Sequence, residues 1–138
     1  MTGLAEALAA EHAAIFGYGV VGAHLKRSLR KTGRAAEEAH RDLRDAVLQR
    51  LTDKSATPPG AEPAYTLPFE VTDSASAVRL AIHLEEAAAA VWRAALAGTK
   101  GADRKLCLDA LVTCAVRATR WRVAAKQPPT VAFPGAPR

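Results

Sequence analysis

Glu11, His40 and Glu85 are the side chains in this sequence best suited to hold a metal ion or move a proton. Glu37 and Glu38 precede His40, Glu86 follows Glu85, and Tyr18 and Trp121 add polar tips within apolar stripes. Dinuclear iron and manganese centres in helical bundles take a Glu from each of two helices and a Glu-x-x-His from each of the other two. The run Glu37-Glu38-Ala39-His40 has that second pattern, with Glu and His one turn apart on one helix face. A lone buried Glu has a second use, because desolvation raises its pKa toward that of a general acid.

These residues sit on segments with helical periodicity. The chain has 138 residues, suited to one domain, and its 49% apolar content is mostly small while only 5% is aromatic, which favours closely packed helices over a sheet. Leu4, Leu8, Ile15, Tyr18, Gly22, Leu25 and Leu29 alternate steps of four and three over residues 3–31, and Glu11 occupies the seam of that stripe. Thr32 and Gly33 read as the break. A second helix over 34–53 carries Ala36, His40, Leu43, Val47 and Leu51. A third, capped by Thr72, Asp73 or Ser74 and ending at Gly98, carries Val78, Ile82, Glu85, Ala89, Trp92 and Leu96. A fourth, from about 103 to 126, presents Leu108, Leu111, Val112, Ala115 and Ala118, bordered by Cys107, Cys114 and Trp121.

Residues 54–72 join helices two and three. Pro and Gly fill their first half, and Tyr65, Leu67, Phe69 and Val71 alternate in the second, the period of an extended segment with one buried edge. Two short connections around one long one predict an all-α, ferritin-like four-helix bundle with a crossover strap at 54–72. The tail at 127–138 is expected to anchor through Val131 and Phe133. Gly17, Gly19 and Gly22 imply close approach of another backbone or a bend beside Tyr18.

The metal site fails on paper. Helix four offers no Glu, and Arg117 stands where a Glu-x-x-His would fall, repelling a cation. With the turn at Thr32, Glu11 is level with Asp53, and His40 is level with His24, about 20 Å away. Glu86 falls on a polar side with Arg79 and Arg93. The expectation is therefore no metal, no cofactor and no catalytic residue. Glu11, Tyr18, His40, Glu85 and Trp121 instead form a buried polar network, with Arg93 and Arg104 as partners for Glu11.

The net charge of +5 permits contact with nucleic acid or an anionic membrane without demanding either. Lys26, Arg27, Arg30, Lys31 and Arg34 cluster at the first turn, the first four suiting the C-terminal dipole of helix one. Arg117, Arg120, Arg122 and Lys126 occupy the end of helix four. A crossover places both groups at one end of the bundle. Cys107 and Cys114 lie about 10 Å apart along one helix, beyond disulfide reach, which points to a reducing compartment. The apolar stretch at 13–23 is too short for a bilayer and no basic leader precedes it, so the expectation is a soluble, cytoplasmic protein without a membrane partner.

The stretches "LAAEHAAIFGYGVVGAHL", "AYTLPFEV", "HLEEAAAAVWRAAL", "CAVRATRWR" and "AFPG" together resemble an actinobacterial ferritin-like family labelled as a domain of unknown function. The resemblance spans nearly the whole chain and implies the ferritin-like bundle but no agreed activity. Residues 1–138 then form a single domain, acting as a non-catalytic interaction or small-ligand-binding module with a protein partner or second copy. One alternative is a degenerate ferritin-like oxidase using Glu11, Glu85 and His40. Another is a nucleic-acid- or ribosome-associated protein using the basic end.

Overall fold

The computed structural model describes residues 3–137; Met1, Thr2 and Arg138, the ends of the expected domain and tail, lie outside the described residues. These residues form four α-helices and no strand: α1 (Gly3–His24), α2 (Arg30–Asp53), α3 (Ser74–Ala95) and α4 (Gly101–Ala124). The start of α3 is fixed by a reciprocal cap. Asp73 Oδ1 accepts from the Ser76 backbone N–H at 2.8 Å, and Ser76 Oγ accepts from the Asp73 N–H at 3.1 Å.

The first turn corrects the sequence reading. α1 stops at His24, a 3-10 turn covers Arg27–Leu29, and Thr32 and Gly33 lie inside α2. Gly33 serves packing there: a Cβ on it would stand 2.5 Å from Leu25 Cδ1. The bundle uses the glycine to let Leu25 in, not to stop a helix. The basic cluster consequently sits on the connection and at the N-terminus of α2, the end of the dipole that disfavours cations.

α1 packs on α2 and α3, and α3 packs on α4, while α2 and α4 meet sparsely. The Lys26 backbone N–H donates to Ser74 Oγ at 3.0 Å, joining the end of α1 to the start of α3. Arg50 and Lys54 pair with Asp103 at 2.7 and 2.8 Å, joining the end of α2 to the start of α4. In the segment between α2 and α3, Tyr65, Leu67, Phe69 and Val71 are half-buried while Thr66, Pro68 and Glu70 are exposed. Tyr65 meets the Phe16 ring at 5.5 Å, and the Arg79 guanidinium covers Phe69 at 5.5 Å.

The stripes of α1, α2 and α3 face the core largely as the spacing predicts. α4 is turned: its buried face is Asp103, Cys107, Ala110, Leu111, Cys114, Ala118 and Trp121, leaving Leu108 and Val112 about half exposed. Alanines flank both candidate faces, so periodicity alone did not set the phase of this helix. Phe133 is 73% exposed and anchors nothing, whereas Val131 is half-buried. α1 is long and apolar enough, by length and composition, to cross a membrane, contrary to the estimate from 13–23; half of its most apolar window is buried inside the protein.

Gly17, Gly19 and Gly22 of α1 are not equivalent, and where a Cβ would meet a neighbour the nearest atoms belong to a side chain rather than a backbone. A Cβ on Gly17 would lie 2.6 Å from the methyls of Leu84, but Gly19 and Gly22 face open space. Gly17→Val is expected to lower stability by about 1–3 kcal/mol through overpacking. Gly19→Ala is expected to raise it by up to ~1 kcal/mol through helix propensity. Urea denaturation of the two variants checks both signs.

Candidate functional site

The seam of α1 brings Glu11 to the middle of the bundle, where it is fully buried. His40 arrives from α2 and Glu85 from α3, also without exposure. His40 Nδ1 donates to Glu11 Oε2 at 2.5 Å, and His40 Nε2 donates to Glu85 Oε1 and Oε2 at 3.0 and 2.9 Å. A neutral imidazole would turn a lone pair toward one of these carboxylates, so the ring is an imidazolium donating from both sides. This overturns the expected mismatch of levels. Halfway between Glu11 and His40 in sequence lie Leu25 and Lys26, where the chain in fact turns, so the two residues face each other.

The remaining polar atoms close around this triad. Trp92 Nε1 donates to Glu11 Oε1 at 2.7 Å, Arg117 Nη1 donates to Glu85 Oε1 at 3.0 Å, and the Tyr18 hydroxyl donates to Glu85 Oε2. Trp121 Nε1 in turn donates to the Tyr18 hydroxyl at 3.0 Å. Among the described residues no buried side-chain nitrogen or oxygen lacks a partner. Two carboxylates face one imidazolium and one guanidinium, so the network is neutral as a unit. Along the line from Glu11 through His40 and Glu85 to Tyr18, each end is an indole N–H, which donates but does not accept. Arg117 joins Glu85 from the side, with its side chain 19% exposed.

Its electrostatics follow. Burial opposes charge on His40, but the hydrogen bonds to Glu11 and Glu85 outweigh it and raise the pKa from 6.5 to about 9. Burial pushes Glu85 up, but His40, Arg117 and Tyr18 outweigh that and hold it below the ordinary carboxylate range. Burial, then the Glu85 charge, pushes the Tyr18 hydroxyl well above its usual value. Burial, then the charges of Glu85 and Glu11, does the same to the Cys114 thiol.

His40, Glu85 and Cys114 present possible ligand atoms within 4.8 Å of one another. They do not fit the metal centre of a ferritin-like bundle. Arg117 Nη1 stands 3.0 Å from Glu85 Oε1 and 3.5 Å from His40 Nε2, so a fixed cation occupies the ground a metal would need.

All five predicted network residues, Glu11, Tyr18, His40, Glu85 and Trp121, thus converge. The partners expected for Glu11 do not: Arg93 donates to the Pro134 carbonyl and Arg104 to the Leu96 carbonyl. Glu86 pairs with Arg122 at 2.9 Å. Arg117 and Arg122 therefore leave the expected basic patch, while Lys26, Arg27, Arg30, Lys31, Arg34 and Arg120 remain exposed or nearly so. Trp92, Cys114 and Arg117 were not foreseen as members. Their signal was spacing: Trp92 is two turns beyond Glu85, and Arg117 lies three after Cys114 and four before Trp121, on one face.

The family described as Domain of unknown function (DUF4439) matches residues 3–138. The crystal structure of a conserved hypothetical protein from Mycobacterium tuberculosis is 39% identical, with a TM-score of 0.86, covering 88% of this chain and 93% of that one. No curated protein matches the chain.

A folded-state pKa of about 9 against 6.5 makes His40 stabilising below pH 6.5, with that contribution lost as pH rises through 9. Depressed Glu85 works in the opposite sense, its contribution being lost in acid. Urea midpoints across pH should fall between 6.5 and 9 by an amount equivalent to on the order of 2–3 kcal/mol. His40→Leu, which strands two buried carboxylates, should cost ~3–5 kcal/mol at neutral pH and flatten that alkaline slope.

Proposed function

The chain belongs to the DUF4439 family, and from that premise we propose that it is a ferritin-like bundle that has exchanged metal chemistry for binding. It is a non-catalytic interaction or small-ligand-binding module of the cytoplasm, built as one domain. The segment between α2 and α3 acts as the crossover strap. Two contacts support that topology: Lys26 with Ser74 at one end, and Arg50 with Asp103 at the other. Glu11 on α1, paired with His40 on α2, suits the core helix of a soluble protein, and two buried free cysteines suit a reducing compartment.

One observation carries the reading. The Arg117 guanidinium lies against both Glu85 and His40, supplying the positive charge that these acids would otherwise draw from a metal. Elemental analysis of the purified protein is the test. Iron and manganese well below one per chain are expected, and a stoichiometric content of either would restore the degenerate oxidase.

A second reading, contact with nucleic acid, is favoured by the placement of the exposed cations. Lys26 and Lys126 line one cavity of about 300 Å³ with Arg79, and Arg27, Arg30, Lys31 and Arg34 follow directly on Lys26 in sequence. On this reading single-stranded RNA is retained at low salt, with affinity falling steeply as salt rises. Arg30→Glu combined with Lys31→Glu should abolish retention without changing the thermal midpoint. Equal retention of the double variant sinks this reading.

A further inference from the structure

A cavity of about 390 Å³ lies between α3 and α4, beneath the C-terminal tail, and no side chain of the buried network lines it. Its size falls within the range of small-molecule sites. The cavity exists because its walls are small: Ala87, Ala90 and Ala115 leave the helices uncovered, and Val131 closes over them. The tail is held down as a roof. Arg93 donates to the Pro134 carbonyl at 3.1 Å, and Arg122 donates to the Pro129 carbonyl at 3.3 Å. Gly135 has φ +78°, and a Cβ there would stand 2.6 Å from the Ala89 carbonyl oxygen, so only glycine lets the tail seat so closely.

The polar end of the cavity is asymmetric. Arg122 is only 5% exposed, and a guanidinium so buried needs an anionic partner. That partner is Glu86, at 2.9 Å, whose side chain is 42% exposed and can turn into solvent. A ligand carboxylate would give Arg122 the same pairing, while its chain covers alanine surface that the free protein leaves wet. We propose that this cavity binds a small amphiphilic monocarboxylate, its acid group on Arg122 in place of Glu86 and its apolar chain along the α3–α4 groove under the tail. The proposal rests on the reading of the bundle as a small-ligand-binding module.

Calorimetric titration of the full chain with octanoate, and with 1-octanol as the uncharged control, tests it. Octanoate is expected to bind at one per chain, about tenfold or more tighter than octanol, the advantage of a charge-assisted pair. Glu86→Gln removes the competing carboxylate and should tighten octanoate several-fold while leaving octanol unchanged. Ala90→Phe, at an exposed wall position, should abolish binding of both probes with the helical signal intact. No octanoate heat, an unaltered affinity in Glu86→Gln, or full binding by Ala90→Phe would each overturn the proposal. Failure here in a chain free of iron and manganese removes the carboxylate site alone; stoichiometric metal removes the reading beneath it.

Discussion

A single imidazolium, that of His40, held between two buried carboxylates, is the interaction on which the arrangement of this bundle turns. Glu11 is on α1 and Glu85 on α3, so one ring from α2 ties three helices at one level. Arg117 adds the fourth from α4. The polar layer divides the core: Leu4, Leu8, Val47, Leu51 and Trp92 pack on one side, and Val21, Leu25, Leu80 and Trp121 on the other. Apolar packing tolerates sliding by a turn, because one alanine resembles the next. A charged ring needing two acids does not, since any slip strands a buried charge. The network therefore contributes more to register than to net stability, where a well-packed apolar layer does at least as well.

Much of this was legible from residue spacing. The stripes of α1, α2 and α3 follow directly from residue types, and of the three candidate caps Thr72, Asp73 and Ser74 the chain uses Asp73. The half-buried alternation of Tyr65, Leu67, Phe69 and Val71 follows likewise. Glu11 marked itself by interrupting an otherwise apolar seam. What spacing hid was the turn. Thr32-Gly33 has the composition of a helix end, yet Gly33 is needed inside α2 because Leu25 packs against its bare Cα. Moving a turn by some six or seven residues displaces facing levels by twice that number, about 20 Å along the axes. That one displacement separated Glu11 from His40 on paper and concealed the central pair.

The surface bears the consequences of a core that takes precedence. Placing the connection at residues 25–29 leaves Arg30, Lys31 and Arg34 at the N-terminal end of α2, against the helix dipole. The cost is at most about 1 kcal/mol per exposed charge, far below that of breaking a buried ion pair. The phase of α4 follows the same order of priorities. Arg117 and Trp121 must reach Glu85 and Tyr18, and this turns Leu108, Val112 and Val116 outward. In an alanine-rich helix with apolar residues on two faces, polar contacts in the core decide which face is buried.

Paired carboxylates at the centre of a helical bundle pose one electrostatic problem with two solutions. A bound metal neutralises them and keeps coordination positions open for chemistry, but it must be acquired and can be lost. A guanidinium and an imidazolium neutralise them covalently attached to the chain. Each needs several hydrogen bonds in fixed directions, and satisfying these fills the space where a substrate would enter. Glu85 shows the outcome: its two oxygens accept from His40, Arg117 and Tyr18, leaving neither free for an outside ligand. On the binding role proposed above, a core closed in this way serves as the scaffold, and recognition falls to places where charges remain exchangeable. Arg122 is such a place, because its partner Glu86 stands at the edge of solvent while the guanidinium itself does not.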